Sequence, residues 1–250
     1  MKKLSIIILT YDHLDDTRRC LSSLEPVMER GDTEVIIVDN ASTDGTPQYI
    51  AQNYPLIYLT VNPVNRGVAA ARNQGIAQAT APTLLILDND TIATTRAIDG
   101  MMAYLESHPQ VGLCACRLTD VEGNVQRSFR PFPSLKGKLL SVLGLRSAAE
   151  KFRADDEGAI EPYYVIGACQ MIRREALDQV GQLDEAIFYG PEDADLCHRL
   201  RQSGWQVKYL PQYSIIHTYY RRTRRQPLSR LGLHHIGGLL HFYRKWHRIS

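Results

Sequence analysis

The sequence predicts an α/β fold in which a mostly parallel sheet is flanked by helices. Three observations predict it. Short apolar runs alternate with helical patterns along the first 118 residues. Several runs are apolar without interruption, as in strands covered on both faces. Acidic residues stand directly after three of them, where the loops of a parallel sheet gather on one edge.

Each element follows in order. Leu4 to Leu9 is the first strand, Leu14, Leu21 and Leu24 mark one side of a helix, and Val35 to Val38 is the second strand. Asp44-Gly45 is a turn, and Thr46 starts a short helix. Leu56 to Val61, Thr83 to Leu87 and Val111 to Leu118 are the third, fourth and fifth strands. The Ala-rich run Gly67 to Ala79 and the segment Thr94 to Ser107 are helices between them. This βαβαβ order gives parallel strands with helices on both faces. Residues 126–161 break the rhythm with Pro131, Pro133, Gly137 and Gly144 among basic residues, and read as an excursion. The pattern resumes at Tyr163 to Met171. Helices follow at Arg174 to Val180 and from near Pro191 to Gly204, then a strand at Gln206 to Leu210.

A chain of 250 residues, 44% hydrophobic and 22% charged, has the composition of a globular protein and not of a disordered one. Its five cysteines are odd in number and contain no CxxC pair, which argues against a zinc ribbon. Cys114 and Cys116 alternate within a strand and read as buried small hydrophobes, a usage that fits a reducing compartment. The apolar run after Met1-Lys2-Lys3 is short and reads as a strand rather than a targeting segment. No apolar stretch approaches a membrane span, so any membrane contact is expected to be peripheral. Net charge is only +2, yet eleven Lys or Arg and no Asp or Glu lie between Leu196 and Ser250. That asymmetry points to an anionic partner, the alternative being a tail kept soluble by its charge.

The strand ends carry the chemistry. The first gives Thr10-Tyr11-Asp12, the second Asp39-Asn40-Ala41-Ser42-Thr43-Asp44-Gly45-Thr46, and the fourth Asp88-Asn89-Asp90. Carboxylates crowded on one edge repel unless a cation or hydrogen-bond donors compensate them. A D-x-D pair at a strand end offers hard oxygen ligands to Mg²⁺ or Mn²⁺. Alternatively Asp90 or Thr91 caps the next helix, and Asp44-Gly45 is turn chemistry alone. Arg72, in Asn65-Arg66-Gly67-Val68-Ala69-Ala70-Ala71-Arg72-Asn73, either faces a base or phosphate or is a solvated helical arginine. Glu192 and Asp193, in Gly190-Pro191-Glu192-Asp193-Ala194-Asp195, either complement a helix dipole or supply a general base.

Taken together, these segments resemble family 2 glycosyltransferases of the GT-A fold over roughly residues 3 to 217. The resemblance implies a nucleotide-sugar-binding half at 1–118 and an acceptor-side half at 119–217 with the variable excursion at about 126–161. It implies that Thr10 and Asp39 line the nucleobase and ribose pocket and that Arg72 contacts the base, with Tyr11, Asn65, Gly67, Asp88 and Asn89 in the donor-binding set. Asp90 would hold the divalent cation, with Asp88 beside it. Asp193, with Glu192 next, would be the base of an inverting displacement. His217 resembles a late histidine that assists the metal or diphosphate, the alternative being a surface histidine closing a strand. The stretch Phe188 to Leu196 looks most like the rhamnosyltransferase subgroup, which often builds surface polysaccharide. The expected enzyme is cytoplasmic, works at the inner face of the membrane and adds single sugars from a UDP or dTDP donor to a glycan or lipid-linked acceptor.

In the tail, 218–250, the basic run Arg221-Arg222-Thr223-Arg224-Arg225 precedes Ile236, Leu239, Leu240 and Tyr243 at helical spacing. This pattern suits an amphipathic helix on an anionic membrane, a helix packed on the domain or on a second copy in a homodimer, or an arginine cluster closing over a diphosphate. A sugar nucleotidyltransferase is disfavoured because Leu4 to Asp12 lacks a Gly-rich loop. A non-catalytic nucleotide-sugar-binding protein would not need both Asp90 and Asp193. A nucleic-acid partner would leave the acidic strand ends without a purpose.

Overall fold

A computed structural model describes residues 1–132, 154–218 and 229–246. The basic run at 221–225 lies outside the described residues, as does most of the excursion. The strands are β1 (Leu4–Thr10), β2 (Thr33–Asp39), β3 (Tyr58–Val61), β4 (Thr83–Asp88), β5 (Thr91–Ile92), β6 (Val111–Thr119), β7 (Val125–Gln126), β8 (Phe129–Arg130), β9 (Tyr164–Val165), β10 (Cys169–Arg173) and β11 (Gln206–His217). The helices are α1 (Leu14–Met28), α2 (Thr46–Asn53), α3 (Val68–Gln78), α4 (Thr95–Ser107), α5 (Arg174–Val180), α6 (Glu192–Gln202) and α7 (Arg230–Trp246).

The main sheet runs β3-β2-β1-β4-β10-β6-β11-β5, with β7 added on β6. Strands β3, β2, β1 and β4 are parallel, as expected. The fifth strand of the sequence pattern does not sit beside the fourth. β10 enters between β4 and β6, antiparallel to both. Strands from before and after residue 118 therefore share one sheet. Hydrophobic periodicity finds a buried strand but does not tell which neighbours it pairs with.

Alternate side chains of each central strand feed opposite layers. Ile6, Ile8, Leu85 and Leu87 pack with Leu21 and Leu24 of α1 and Ile98 and Met101 of α4. Ile7, Leu84 and Ile86 pack with Ile76 of α3, Leu177 of α5 and Leu196 and Leu200 of α6. Cys114 and Cys116 are both buried thiols in the first of these layers. β3 starts two residues later than its apolar run suggests, because Leu56 is exposed and the strand lies at the sheet edge. The strand expected at Gln206 to Leu210 runs on to His217, with a register irregularity between Leu210 and Ser214 around Pro211.

Helix α7 forms where the tail pattern places it, and the face it buries is not the one that carries Ile236 and Leu240. Gly232, Gly238 and Phe242 are buried, whereas Ile236 and Leu240 are exposed. Lys245 and Trp246 reach the buried Asp195, and Lys245 with His241 also reaches Asp184. Burial raises the Asp184 carboxyl, but bonds from Lys245 and His241 outweigh it and hold the group down at about 2.

Candidate active site

The carboxyl ends of β1, β2 and β4 meet at one edge. Thr10 and Asp39 are fully buried and face each other across paired strands, the Thr10 hydroxyl donating to Asp39 Oδ2 at 2.8 Å. The Ser42 amide donates to Asp39 Oδ1 at 2.9 Å. These two residues form the floor of the loops rather than an open surface, while Tyr11 stands at the rim, 46% exposed. Asp12 and Asp44 bind the neighbouring loops, accepting from the amides of Thr43 and Leu14 respectively. A pocket of about 490 Å³ opens beside them, lined by His13, Leu14, Asp15, Asp16, Arg19 and Asp44.

Asn65 and Gly67 belong to a buried amide network. Asn40 donates to Asn65 Oδ1 at 2.9 Å, and the Gly67 amide donates to the same oxygen at 2.9 Å. Gly67 has φ +85°, and a Cβ there would meet the Phe188 backbone oxygen at 2.7 Å. The close approach it permits is to the Phe188 turn, whose carbonyl accepts from the Val68 amide at 2.7 Å. Helix α3 is thereby tied to the loop that leads into Glu192 and Asp193.

Asp88 and Asp90 flank the end of β4. Helix α4 is capped by Thr94, whose hydroxyl accepts from the Ala97 amide at 3.1 Å, so neither Asp90 nor Thr91 serves as the cap. Instead Thr91–Ile92 pairs antiparallel with the end of β11, which sets His217 opposite Thr91 and beside Asp90. His217 is buried, not a surface residue, with Nε2 3.3 Å from Asp90 Oδ1. Asp88, Asp90 and His217 each offer a ligand atom within 4.8 Å of the others. Burial raises the Asp90 carboxyl and the Asp88 charge adds to this, against the opposing bond from His217. Burial pulls the imidazole down, but the bond to Asp90 and the nearby acidic charges carry it above its ordinary value. A cluster of two carboxylates and one imidazole offers the hard oxygen and nitrogen ligands that suit Mg²⁺ or Mn²⁺. Asn89 turns away from it to donate to the Thr17 hydroxyl at 3.0 Å.

Gln126, which sequence reasoning did not single out, holds the other edge of the imidazole. His217 Nδ1 lies 2.8 Å from Gln126 Oε1, and Gln126 Nε2 donates to the His217 carbonyl at 2.7 Å. An amide oxygen only accepts, so Nδ1 carries the proton and Nε2 is directed at Asp90.

Arg72 is neither solvated nor open to a ligand as placed. It is buried and donates to Asp88 Oδ1 at 2.6 Å, Gly167 O at 2.9 Å and Glu192 Oε1 at 3.2 Å. Burial nevertheless pushes Glu192 up to about 7, helped by the Asp193 charge and opposed by Arg72. Asp193 is partly exposed, with Oδ2 3.3 Å from the Gly167 amide. Burial raises its carboxyl too, against the Ala194 amide and the charges of Arg72 and Arg130. Of the two acids, Asp193 is the less enclosed and is not in direct contact with an arginine.

A curled mixed sheet with acids gathered at its strand ends is the GT-A arrangement. Solved structures share the fold: GalNAc-T7 with UDP, GalNAc and Mn²⁺ (TM-score 0.68, 16% identity, 87% of this chain and 43% of that one) and a mannosyltransferase from Pyrobaculum calidifontis with GDP-Man and Mn²⁺ (TM-score 0.66, 21% identity, all of this chain and 66% of that one). Residues 5–181 match Glycosyl transferase family 2. The N-acetylglucosaminyl-diphospho-decaprenol L-rhamnosyltransferase of Mycobacterium tuberculosis is 32% identical over 250 residues, covering 93% of this chain and 81% of that protein. The O-antigen biosynthesis protein RfbC of Myxococcus xanthus is 28% identical over 231 residues, covering 86% of this chain and 17% of that protein. The chain belongs to glycosyl transferase family 2.

Proposed function

We propose that the protein is an inverting, metal-dependent glycosyltransferase that moves a sugar from a UDP- or dTDP-linked donor to a hydroxyl of a glycan or lipid-linked acceptor in surface-polysaccharide synthesis. Rhamnose is the sugar we favour, on the likeness to the mycobacterial rhamnosyltransferase. The reaction would take place at the inner face of the membrane, where such acceptors are held, through peripheral contact. No described helix is long and apolar enough to cross a bilayer.

One observation carries the reading: Arg72 joins Asp88, next to the Asp90–His217 cluster, to Glu192, next to Asp193. A cation site and a carboxylate base are thus held by one fixed charge. Asp88, Asp90 and His217 would hold the divalent cation, which when bound supplies positive charge to the leaving diphosphate. Asp193 takes the proton of the acceptor hydroxyl as its oxygen bonds the anomeric carbon. The bond from that carbon to the diphosphate oxygen breaks on the opposite face, and the nucleoside diphosphate keeps the electron pair. Glu192 and Arg72 orient this acid without touching the reacting atoms.

The test is a thermal-shift screen of UDP- and dTDP-sugars with and without Mn²⁺, on wild type and Asp90→Ala. Binding to the folded state raises the apparent melting temperature by mass action. A Mn²⁺-dependent shift with one donor, absent from Asp90→Ala, is expected. Equal shifts with and without Mn²⁺ in both proteins would remove the metal assignment, and no shift with any donor would remove the donor class.

A further inference from the structure

Helix α7 has two faces with different uses. Its inner face packs on the protein next to the catalytic turn. Phe242 is fully buried, His234 stacks on Phe188 with ring centroids 4.0 Å apart, and a Cβ on Gly238 would meet the Gly190 carbonyl at 2.5 Å. Only a residue without a side chain allows the helix to lie this close to the loop leading into Glu192 and Asp193.

Its outer face has no such partner among the described residues. At 3.6 residues per turn, Leu233, Ile236, Leu240 and Arg244 fall on one side of the helix. Leu233 is 57% exposed, Ile236 44% and Leu240 59%. Arg230 and Arg244 border this stripe, and no ion pair is formed by either among the described residues. Lys245 and His241 are turned inward on Asp184. No acidic residue follows Asp195 in the whole chain.

We propose that this outer face is a membrane-docking surface, in which Leu233, Ile236 and Leu240 enter the headgroup boundary of an anionic bilayer while Arg230 and Arg244 meet lipid phosphates. Charge complementarity selects this occupant. A second copy stacked on the same face would set arginine against arginine with no carboxylate on either helix. A bilayer supplies phosphate at the depth where an amphipathic helix lies. The geometry has a consequence for the reaction, and this part rests on the proposed transfer to a lipid-linked acceptor. With the bilayer on one side of α7 and Gly190 on the other, the loop entering α6 is held about one helix diameter, roughly 10 Å, from the membrane surface.

The test is co-sedimentation of the full chain with vesicles of phosphatidylcholine alone or with phosphatidylglycerol. Wild type is expected to bind the anionic vesicles and release them as salt rises. Ile236→Glu with Leu240→Glu should weaken binding at least about tenfold, and Arg244→Gln about fivefold. Both side chains of the double variant are exposed, so its melting temperature should be retained. Undiminished vesicle binding by the folded double variant would overturn the proposal, as would wild type that ignores anionic vesicles. A wild-type dimer that the double variant converts to monomer, without vesicle binding, would give the face to a second copy instead. Donor thermal shifts on the same proteins separate the two readings: vesicle binding lost with donor binding intact concerns the docking face alone, and absent donor binding concerns the proposed reaction alone.

Discussion

Two groups of acids meet at Arg72, and they are compensated differently. On one side Glu192 bonds Arg72, and Asp193 feels the same charge without touching it; a guanidinium does not lose its proton in the working range of pH. On the other, Asp90 leans on His217, a group whose charge is removable. The first already holds its cation as folded. The second is stable as a protonated pair but gains a better partner if a divalent cation replaces the imidazole proton. On the proposed function, the difference separates acids held by a fixed charge from a cluster suited to a metal.

The largest expected effect falls on the base. Asp193→Asn should lower kcat by about 10² to 10⁴, with donor binding unchanged and a small loss of melting temperature, because the side-chain amide keeps the size but has one oxygen for the two backbone amides, of Gly167 and Ala194, that the carboxylate accepts from. Single-turnover transfer with saturating donor measures it. Residual activity within tenfold of wild type would place the base elsewhere, with Glu192 the next residue to replace.

Arg72→Met sharpens the comparison through stability. It leaves Asp88 and Glu192 facing a buried space without their cation, and removing one partner of a buried pair costs about 3–5 kcal/mol. Glu192 is already near neutrality, so we expect the lower end of that range. Adding Glu192→Gln should recover part of the loss, because the second substitution removes one of the stranded charges. Urea unfolding of the single and double variants decides it. A single variant as stable as wild type would mean that Arg72 does not compensate these acids.

The legibility of this site follows the range of its interactions. Strands β1, β2, β4 and β6, and the acids that follow the first three of these, could be read from the sequence because apolar runs and strand-end loops are local patterns. Asp88 and Asp90 pair locally as D-x-D, but His217 could be added only through family resemblance, since β5 and β11 bring it to them across more than a hundred residues. Arg72 stands out in the sequence, but its buried surroundings do not. Nothing near it in sequence announces that Asp88, Gly167 and Glu192 converge on it. The inner face of α7 was missed for a related reason: Gly238 carries no hydropathy signal, yet its lack of a side chain decides which way the helix lies.

Gln126 was invisible altogether, since it sits where the sequence rhythm breaks, and it gives the smallest and most specific way to break the comparison. Its oxygen fixes the proton on His217 Nδ1 and leaves Nε2 directed at Asp90. Gln126→Leu removes that acceptor while keeping much of the volume. The imidazole should then sample both tautomers, and the Mn²⁺ titration midpoint measured with donor present should rise by about 10- to 100-fold. Nitrogen chemical shifts of His217 in the metal-free protein, taken above its titration, supply a readout that loss of packing would not mimic. Wild type should show Nδ1 protonated, and the variant a mixture. If midpoint and tautomer both stay as in wild type, the His217 side of the cluster owes its orientation to β11 alone, and the removable partner of Asp90 is set by the sheet rather than by the hairpin that carries Gln126.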